Sequence, residues 1–194
     1  MVEHLVKHQV LYADDRANAV FLTTHASGEV SGAERRGTGL TPFHGSATGS
    51  DREATFKIAR GKPELLVLTE SAIDACSWMQ LHPRAENVVV ASTSGARPVL
   101  PKSLESVADT AKLIIVAFDN DKAGRQASAK LVESLSELGK KVSAQFPSEG
   151  KDWNAQLLAI AKKALDAVKR VVPSFSTKPR PDISFPSSST PFKM

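Results

Sequence analysis

Two acidic residues directly follow the most apolar run of the sequence. Residues 113–118 read LIIVAF, and Asp119, Asn120 and Asp121 come next. A run of this composition predicts a strand covered on both faces, and the side-chain period of two points Asp119 and Asp121 in the same direction. The spacing therefore aims two carboxylates at one point.

A second pair of acids follows another apolar run. Residues 65–69 read LLVLT, Glu70 comes next, and Asp74 lies one helical turn later. If the two strands are neighbours in a parallel sheet, their carboxyl ends meet at the edge where ligands bind, and all four acids converge there. Such a cluster repels itself unless something positive sits in it. Because no histidine or thiolate is near in sequence, the oxygen ligands favour Mg²⁺, with Mn²⁺ as a substitute.

Each acid also has a structural interpretation. A single Asp or Ser after a strand is most often a helix cap, and both Ser71 and Asp121 stand where a helix is predicted to begin. The metal interpretation gains weight only from the coincidence of several acids at the ends of two strands.

The elements that must position these acids alternate from residue 64 onward. Aliphatic runs in ELLVLTE, NVVVAST, KLIIVAFD and KKVSAQFP are separated or followed by helical stretches, the last of them DWNAQLLAIAKKALDAVKRVV. This alternation predicts an α/β fold with a mostly parallel, Rossmann-like sheet of about four strands flanked by helices.

The flanking regions differ in composition from this unit. Residues 17–37 predict a β-hairpin with its turn at 26–29, and the Gly/Ser/Thr-rich segment 38–56 predicts a loop or flap. We therefore expect an N-terminal extension over residues 1–60, the α/β domain over 61–172, and a tail over 173–194. The tail is rich in Pro and Ser, which predicts disorder or a linker, with docking through Phe175, Phe185 or Phe192 as an alternative.

Composition limits the class of protein. Hydrophobic residues make up 41% of the 194 residues, Cys76 is the single cysteine, and no apolar run is long enough to cross a bilayer. These features predict a cytoplasmic location without membrane contact. The net charge of +4 arises at the C-terminal end, where residues 151–194 carry eight Lys and Arg against three Asp and Glu. Such a tail can attract nucleic acid, although an ordinary solvated tail has the same composition.

Several motifs together resemble the TOPRIM domain of primases, topoisomerases and small nucleases. They are TESAIDA (69–75) and FDNDKAG (118–124), separated by a strand that ends in STSGA (92–96). GEVSGAERRG (28–37) and GKDWNAQLL (150–158) are similar to motifs that flank the primase-like TOPRIM modules of plasmid, phage and mobilisation (relaxase-associated) proteins. The resemblance covers roughly residues 17–160.

The resemblance implies roles for the acids. Glu70 would be the catalytic general acid or base or a metal ligand, and Asp119 and Asp121 would hold Mg²⁺. Asp74 would be an additional metal-binding acid. Asp152 would help to hold a second metal ion, but it is equally well placed to cap the last helix.

Other residues near these motifs are candidates for binding phosphate or nucleic acid. Small residues at the end of the second strand let backbone N–H groups approach a phosphate, and an arginine there can donate a forked pair of hydrogen bonds. A plain turn and ordinary surface charges are the alternatives. The candidates are Ser94, Gly95, Arg97, Lys122, Arg125 and Lys151.

Three functions fit these features. The first is a Mg²⁺-dependent, primase-like domain that transfers nucleotidyl or phosphoryl groups in plasmid or mobile-element replication or transfer, acting on DNA in preference to RNA. The second is a compact nuclease that uses the same acids. The third is a non-catalytic, metal-dependent module that binds nucleic acid or docks on a relaxase, helicase or primase.

Overall fold

The computed structural model describes residues 1–39 and 43–171, which form two β-sheets and five α-helices. The N-terminal part contains one helix and the four strands of the first sheet. These elements are α1 (Val2–Lys7), β1 (Leu11–Ala13), β2 (Ala19–Thr24), β3 (Val30–Arg36) and β4 (His44–Ser46).

The second sheet and four helices follow. In chain order the elements are β5 (Lys57–Arg60), β6 (Leu65–Thr69), α2 (Ala72–Leu81), β7 (Val88–Ser92), a 3-10 turn (Lys102–Leu104), α3 (Glu105–Thr110), β8 (Leu113–Val116), α4 (Lys122–Glu137), β9 (Val142–Ala144) and α5 (Trp153–Val171). The strand order is β5-β7-β6-β8-β9. Strands β6 to β9 pair in parallel, and β5 pairs antiparallel to β7 at one edge. The predicted mostly parallel α/β sheet with flanking helices is confirmed.

Alternate residues of the central strands pack into two cores. Val67 of β6 belongs to a core with α2, Phe56 and Trp153, whereas its neighbour Leu66 belongs to a core with α3 and α4. This alternation explains the continuous apolar runs, because a parallel strand covered by helices has no solvent-facing side.

The first sheet is an antiparallel meander in the order β1-β2-β3-β4, and its β2–β3 pair is the predicted hairpin. The prediction of a loop over residues 38–56 is wrong in one place, because residues 44–46 form β4, in which His44 pairs with Arg36 of β3. Three polar residues carry no strand pattern, so only the hydrogen-bonded pairing defines this element. Leu40 to Pro42 lie outside the described residues.

The two sheets share a core. Leu11 of β1 and Phe21 of β2 belong to the α2 core, and the Phe21 ring meets the Phe56 ring edge-on at 5.3 Å between centroids. Strand β5 falls on the N-terminal side of the boundary expected at residue 60, yet it pairs with the second sheet. The domain boundaries stay a prediction, and the predicted tail lies outside the described residues.

Among the residues described, no helix is both long and apolar enough to span a bilayer.

Two leucines near the C-terminal half of α4 test the packing of the second core. Leu131 is fully buried, whereas Leu138 is 73% exposed. We expect Leu131→Ala to lower the free energy of unfolding by about 2–5 kcal/mol, because it leaves a cavity. Leu138→Ala should change it by less than about 0.5 kcal/mol. Urea unfolding measures both, and equal losses in the two variants would contradict the core assignment.

Candidate metal and phosphate site

The ends of β6 and β8 bring Glu70 and Asp119 together. The two strands are parallel neighbours, with Leu68 opposite Val116, so both chains leave the sheet at the same edge. The backbone N–H of Asp119 donates a hydrogen bond to Glu70 Oε1 at 3.0 Å. The expected convergence of acids from separate strands is therefore present in this pair.

Asp119 and Asp121 share one cation, the Lys151 ammonium. Its Nζ lies 3.3 Å from Asp119 Oδ2 and 3.1 Å from Asp121 Oδ2. The other oxygen of Asp119, Oδ1, is buried and has no hydrogen-bond partner among the described residues. Asp121 also caps α4, because its Oδ1 accepts a hydrogen bond from the Gly124 N–H at 2.9 Å. The capping interpretation of Asp121 is thus confirmed, whereas its role as a metal ligand stays a prediction.

Asp74 and Asp152 lie beside this pair but are held by other partners. Asp74 is buried; its Oδ1 accepts from the Asn154 N–H at 3.1 Å, and its Oδ2 accepts from the Ser71 hydroxyl. Asp152 accepts a hydrogen bond from the Ala155 N–H at 2.7 Å, so it caps α5. Capping is one of the two roles predicted for this residue. Both acids line the same cavity as Glu70 and Asp119, which has a volume of about 430 Å³.

The pKa values of the acids at this edge of the sheet depart from their ordinary values. Burial raises the pKa of Glu70 to about 7, opposed by the hydrogen bond from the Asp119 N–H and reinforced by the charges of Asp119 and Asp121. Burial likewise raises the pKa of Asp74 to about 6. The pKa of Asp119 is raised by burial, although Lys151 opposes the shift. The pKa of Asp121 is lowered, first by the hydrogen bond from the Gly124 N–H.

The acids do not form one common cage. Across the residues that the structure describes, no three His, Cys, Asp or Glu side chains lie close enough to hold a metal ion. The reason is local: Glu70 is tied to a backbone amide, Asp74 to Ser71 and Asn154, and Asp152 to the start of α5. The roles of Glu70, Asp74, Asp119, Asp121 and Asp152 in holding one or two metal ions therefore stay a prediction.

The Asp119 and Asp121 pair nevertheless fits a hard cation. The two carboxylates already share a positive charge, and all their donor atoms are oxygen. One buried oxygen of Asp119 also lacks a partner over residues 1–39 and 43–171. Mg²⁺ is ordinarily held by one or two carboxylates, with water and phosphate oxygens as its other ligands.

Only three of the six predicted phosphate-binding residues line the cavity. Ser94, Gly95 and Lys151 line the cavity, and Ser94 and Gly95 have positive φ angles of 53° and 118°. Two arginines are engaged elsewhere, because Arg97 bonds to Glu53 and to the Arg52 carbonyl, and Arg125 bonds to Asn120 and stacks over Phe146. Lys122 is exposed at the start of α4.

Part of the cavity wall comes from the first sheet. These residues are missing from the site that was predicted from the sequence. They are Glu34, Arg35 and Arg36 of β3 and His44 of β4. Within the described part of the chain, neither Arg35 nor Arg36 forms an ion pair. The charged run ERRG in the hairpin could have indicated these residues. Nothing in the local sequence pattern, however, places the run against the second sheet.

Trp153 fixes α5 against the acidic edge. Its Nε1–H donates to the Ala117 carbonyl at 2.8 Å, two residues before Asp119, and the ring is buried. Lys151 and Asp152 immediately precede Trp153 in sequence. The Trp153 hydrogen bond therefore holds both residues of the GKDWN motif close to Asp119.

Family comparisons agree with this geometry. Residues 67–157 match the model of a Toprim-like family, and residues 1–63 match a family described as a protein of unknown function (DUF3991). This chain contains a TOPRIM domain. The sheet edge that carries Glu70, Asp119 and Asp121 lies within the TOPRIM match.

Two curated relatives are considerably longer than this TOPRIM-containing chain. A 65 kDa protein of Zymomonas mobilis is 35% identical over 179 residues, which cover 85% of this chain and 30% of the relative. An uncharacterized protein of Bacillus anthracis is 29% identical over 123 residues, which cover 56% of this chain and 36% of the relative. The chain therefore spans about a third of the length of each.

Several solved structures with a similar fold come from primases. The primase fragment of the bacteriophage T7 primase-helicase protein matches with a TM-score of 0.62 and 23% identity, over 85% of this chain and 68% of that one. The Escherichia coli primase catalytic core matches with a TM-score of 0.54 and 17% identity, over 86% and 58%. A primase domain from Pseudomonas aeruginosa matches with a TM-score of 0.52 and 17% identity, over 84% and 57%. At these identities the likeness establishes the fold.

Gly124 tests how closely α4 approaches the acids. A Cβ at this position would overlap the Asp119 carbonyl oxygen and lie 2.6 Å from Glu70 Oε1. Gly→Ala inside a helix ordinarily stabilises by up to about 1 kcal/mol. We expect Gly124→Ala to destabilise instead, by about 1–3 kcal/mol, because the site must shift to admit the methyl group. In Gly39→Ala, where a Cβ meets no atom of the described residues within 4 Å, urea unfolding should show little change. A gain of stability in Gly124→Ala would contradict the close approach.

The raised pKa of Glu70 makes stability depend on pH. The ordinary pKa of this carboxyl is 4.5, and in the folded protein it is about 7. Between these values the folded protein binds more protons than the unfolded chain, so stability falls as the pH rises from about 4.5 to 7. Glu70→Gln removes this loss. Without divalent cations, we expect the variant to lose less stability than the wild type between about pH 5 and pH 8.

Urea unfolding at several pH values measures this difference, and Glu29→Gln, which changes an exposed acid of the first sheet, is the control. The control should follow the wild-type curve. Parallel curves for Glu70→Gln and the wild type would show that Glu70 titrates normally.

Proposed function

We propose that this chain is a divalent-cation-dependent, primase-like domain that transfers nucleotidyl or phosphoryl groups during the processing of nucleic acid. The observation that carries the proposal is the pair Asp119 and Asp121, which share the Lys151 ammonium. One buried oxygen of Asp119 has no hydrogen-bond partner within the part of the chain that the structure describes. The primase fold of the structures it resembles supports the same conclusion.

The acids at the ends of β6 and β8 and at the start of α5, which we call the acidic wall, would hold the cation. Asp119 and Asp121 would be its direct ligands, and Asp74 and Asp152 would act on it through water, because backbone amides already occupy some of their oxygens. When bound there, Mg²⁺ or Mn²⁺ supplies charge neutralisation and orientation of phosphate oxygens. Lys151 holds the two carboxylates together until then.

Glu70 is suited to holding or accepting a proton. Its pKa of about 7 leaves both protonation states well populated near neutral pH, which is the condition for general acid or base catalysis. Its Oε1 is fixed by the Asp119 N–H, so the side chain is oriented toward the carboxylate pair.

The basic residues of the first sheet that line the cavity, Arg35, Arg36 and His44, form what we call the basic wall. This wall would bind the anionic substrate. Arg35 and Arg36 line the cavity and have no carboxylate partner among the described residues. The Arg35 guanidinium also lies over the Phe43 ring, 5.2 Å from its centroid. Guanidinium groups bind phosphate oxygens through paired hydrogen bonds, and Ser94 and Gly95 border the same space. A phosphate chain between the two walls would contact arginines on one side and the cation on the other.

The biological setting is part of the proposal. We propose that the substrate is DNA in preference to RNA, that the setting is plasmid or mobile-element replication or transfer, and that the domain works with a helicase, relaxase or primase partner. One structure with this fold is the primase fragment of the bacteriophage T7 primase-helicase protein.

Asp119→Asn tests the shared basis of catalysis. We expect the substitution to reduce Mg²⁺- or Mn²⁺-dependent primer synthesis on single-stranded DNA by at least about a hundredfold, because it removes a ligand charge where transition-state charge develops. Asp109→Asn changes an exposed acid of α3 and should retain wild-type activity.

Product analysis separates the competing functions. Primer synthesis from nucleoside triphosphates supports the primase-like proposal, whereas strand cleavage lost in the same variant would replace it with a nuclease. Metal-dependent binding without turnover would indicate a docking module. Equal activity of Asp119→Asn and wild type would contradict the site itself.

A further inference from the structure

Glu34 is a buried carboxylate of the first sheet that reaches into the second sheet. It lies on β3 and is 8% exposed. Its Oε2 accepts a hydrogen bond from the Ala72 N–H at 2.8 Å, and its Oε1 accepts one from the Ser94 hydroxyl at 3.0 Å. One side chain thereby joins β3, the first residue of α2 and the loop after β7.

This placement is energetically costly unless it is compensated. A buried carboxylate loses its hydration, and burial accordingly raises the pKa of Glu34. No Lys or Arg in the described ranges pairs with it. The compensation therefore comes from the Ser92 hydroxyl, from the hydrogen bonds with Ala72 and Ser94, and from the positive end of α2. The position of the carboxylate is thus determined by the two groups that it joins.

Helix capping alone does not account for Glu34. α2 already has an N-cap, Ser71, whose Oγ accepts from the Asp74 N–H at 3.3 Å. The second hydrogen bond of Glu34 goes to Ser94, which is not part of the helix. Both contacts border the functional site, since Ala72 stands between Glu70 and Asp74 in sequence.

We propose that Glu34 is a positioning residue that fixes the first sheet against the acidic edge, so that the basic wall faces the acids at a set distance. Arg36, two residues further along β3, points to the same side of the strand as Glu34 and lines the cavity. The proposal assigns residues 1–63 a role in the same site as the TOPRIM domain. It rests on the proposed function only for the chemistry that the positioned residues perform.

Amide resonances and exchange rates test the positioning directly. The variants are Glu34→Ala, which removes both hydrogen bonds, and Glu34→Gln, whose amide can accept from the Ala72 N–H and donate to Ser94 Oγ. Glu29→Ala, which removes an exposed acid of the same sheet, is the matched control. In Glu34→Ala we expect about tenfold faster hydrogen exchange at the Ala72 amide. We also expect shifted Glu70 and Asp119 resonances.

In Glu34→Gln and Glu29→Ala these signals should stay close to wild type. Unchanged Glu70 and Asp119 resonances in Glu34→Ala would overturn the proposal, as would equal disturbance in Glu34→Gln. If Glu34→Ala fails to fold, Ser94→Ala removes one of the two hydrogen bonds and is judged by the same two resonances.

Binding of a fluorescent single-stranded oligonucleotide gives a second measurement. Removing a negative charge beside arginines should, by charge alone, tighten binding of an anion. Positioning predicts the opposite, a Kd raised about tenfold in Glu34→Ala and within about threefold of wild type in Glu34→Gln. Tighter binding in Glu34→Ala would overturn the proposal. If the wild type does not bind, the proposed function fails, while the amide signals still decide the role of Glu34.

Discussion

Repulsion among carboxylates at one edge of a parallel sheet is the constraint on which the site depends. β6 and β8 end side by side and deliver Glu70 and Asp119 to the same place, and the helices that follow add Asp74 and Asp121. Without compensation this concentration of negative charge destabilises the fold. The chain compensates with backbone N–H groups from three segments and with the Lys151 ammonium.

The compensation for this negative charge is incomplete, which supports the proposal that these acids form the functional site. Glu70 and Asp74 keep raised pKa values of about 7 and 6, and Asp119 keeps a buried oxygen without a partner among the described residues. If these acids had only a structural role, replacing them with well-packed apolar groups would stabilise the fold. Groups with perturbed pKa values in a cavity are instead typical of sites that bind a cation or transfer a proton.

Much of the second sheet follows from the sequence, because its strands are buried on both faces and appear as apolar runs. Pairings that join distant segments do not follow from it. β4 and β5 are short and carry charged or small residues, so only their ladders with β3 and β7 define them. The same limit applies to the site. TESAIDA and FDNDKAG indicate the acids, whereas the contact of Glu34 with Ala72 spans 38 residues and leaves no local pattern.

The first sheet changes how the site is understood. The acids of the TOPRIM domain form one wall, and Arg35, Arg36 and His44 form the other, so neither part of the chain contains the cavity alone. The shared core around Phe21 and Phe56 and the hydrogen bonds of Glu34 hold the two sheets together. A phosphate-containing substrate bound between them would meet charges of both signs.

The most direct test of the central claim is the anomalous diffraction of a crystal soaked in MnCl₂. The account predicts an anomalous peak beside the carboxylates of Asp119 and Asp121, with the Lys151 ammonium moved away from them. If Lys151 still bridges the two aspartates and no peak appears there, at Mn²⁺ concentrations that support activity, these carboxylates do not form a cation site.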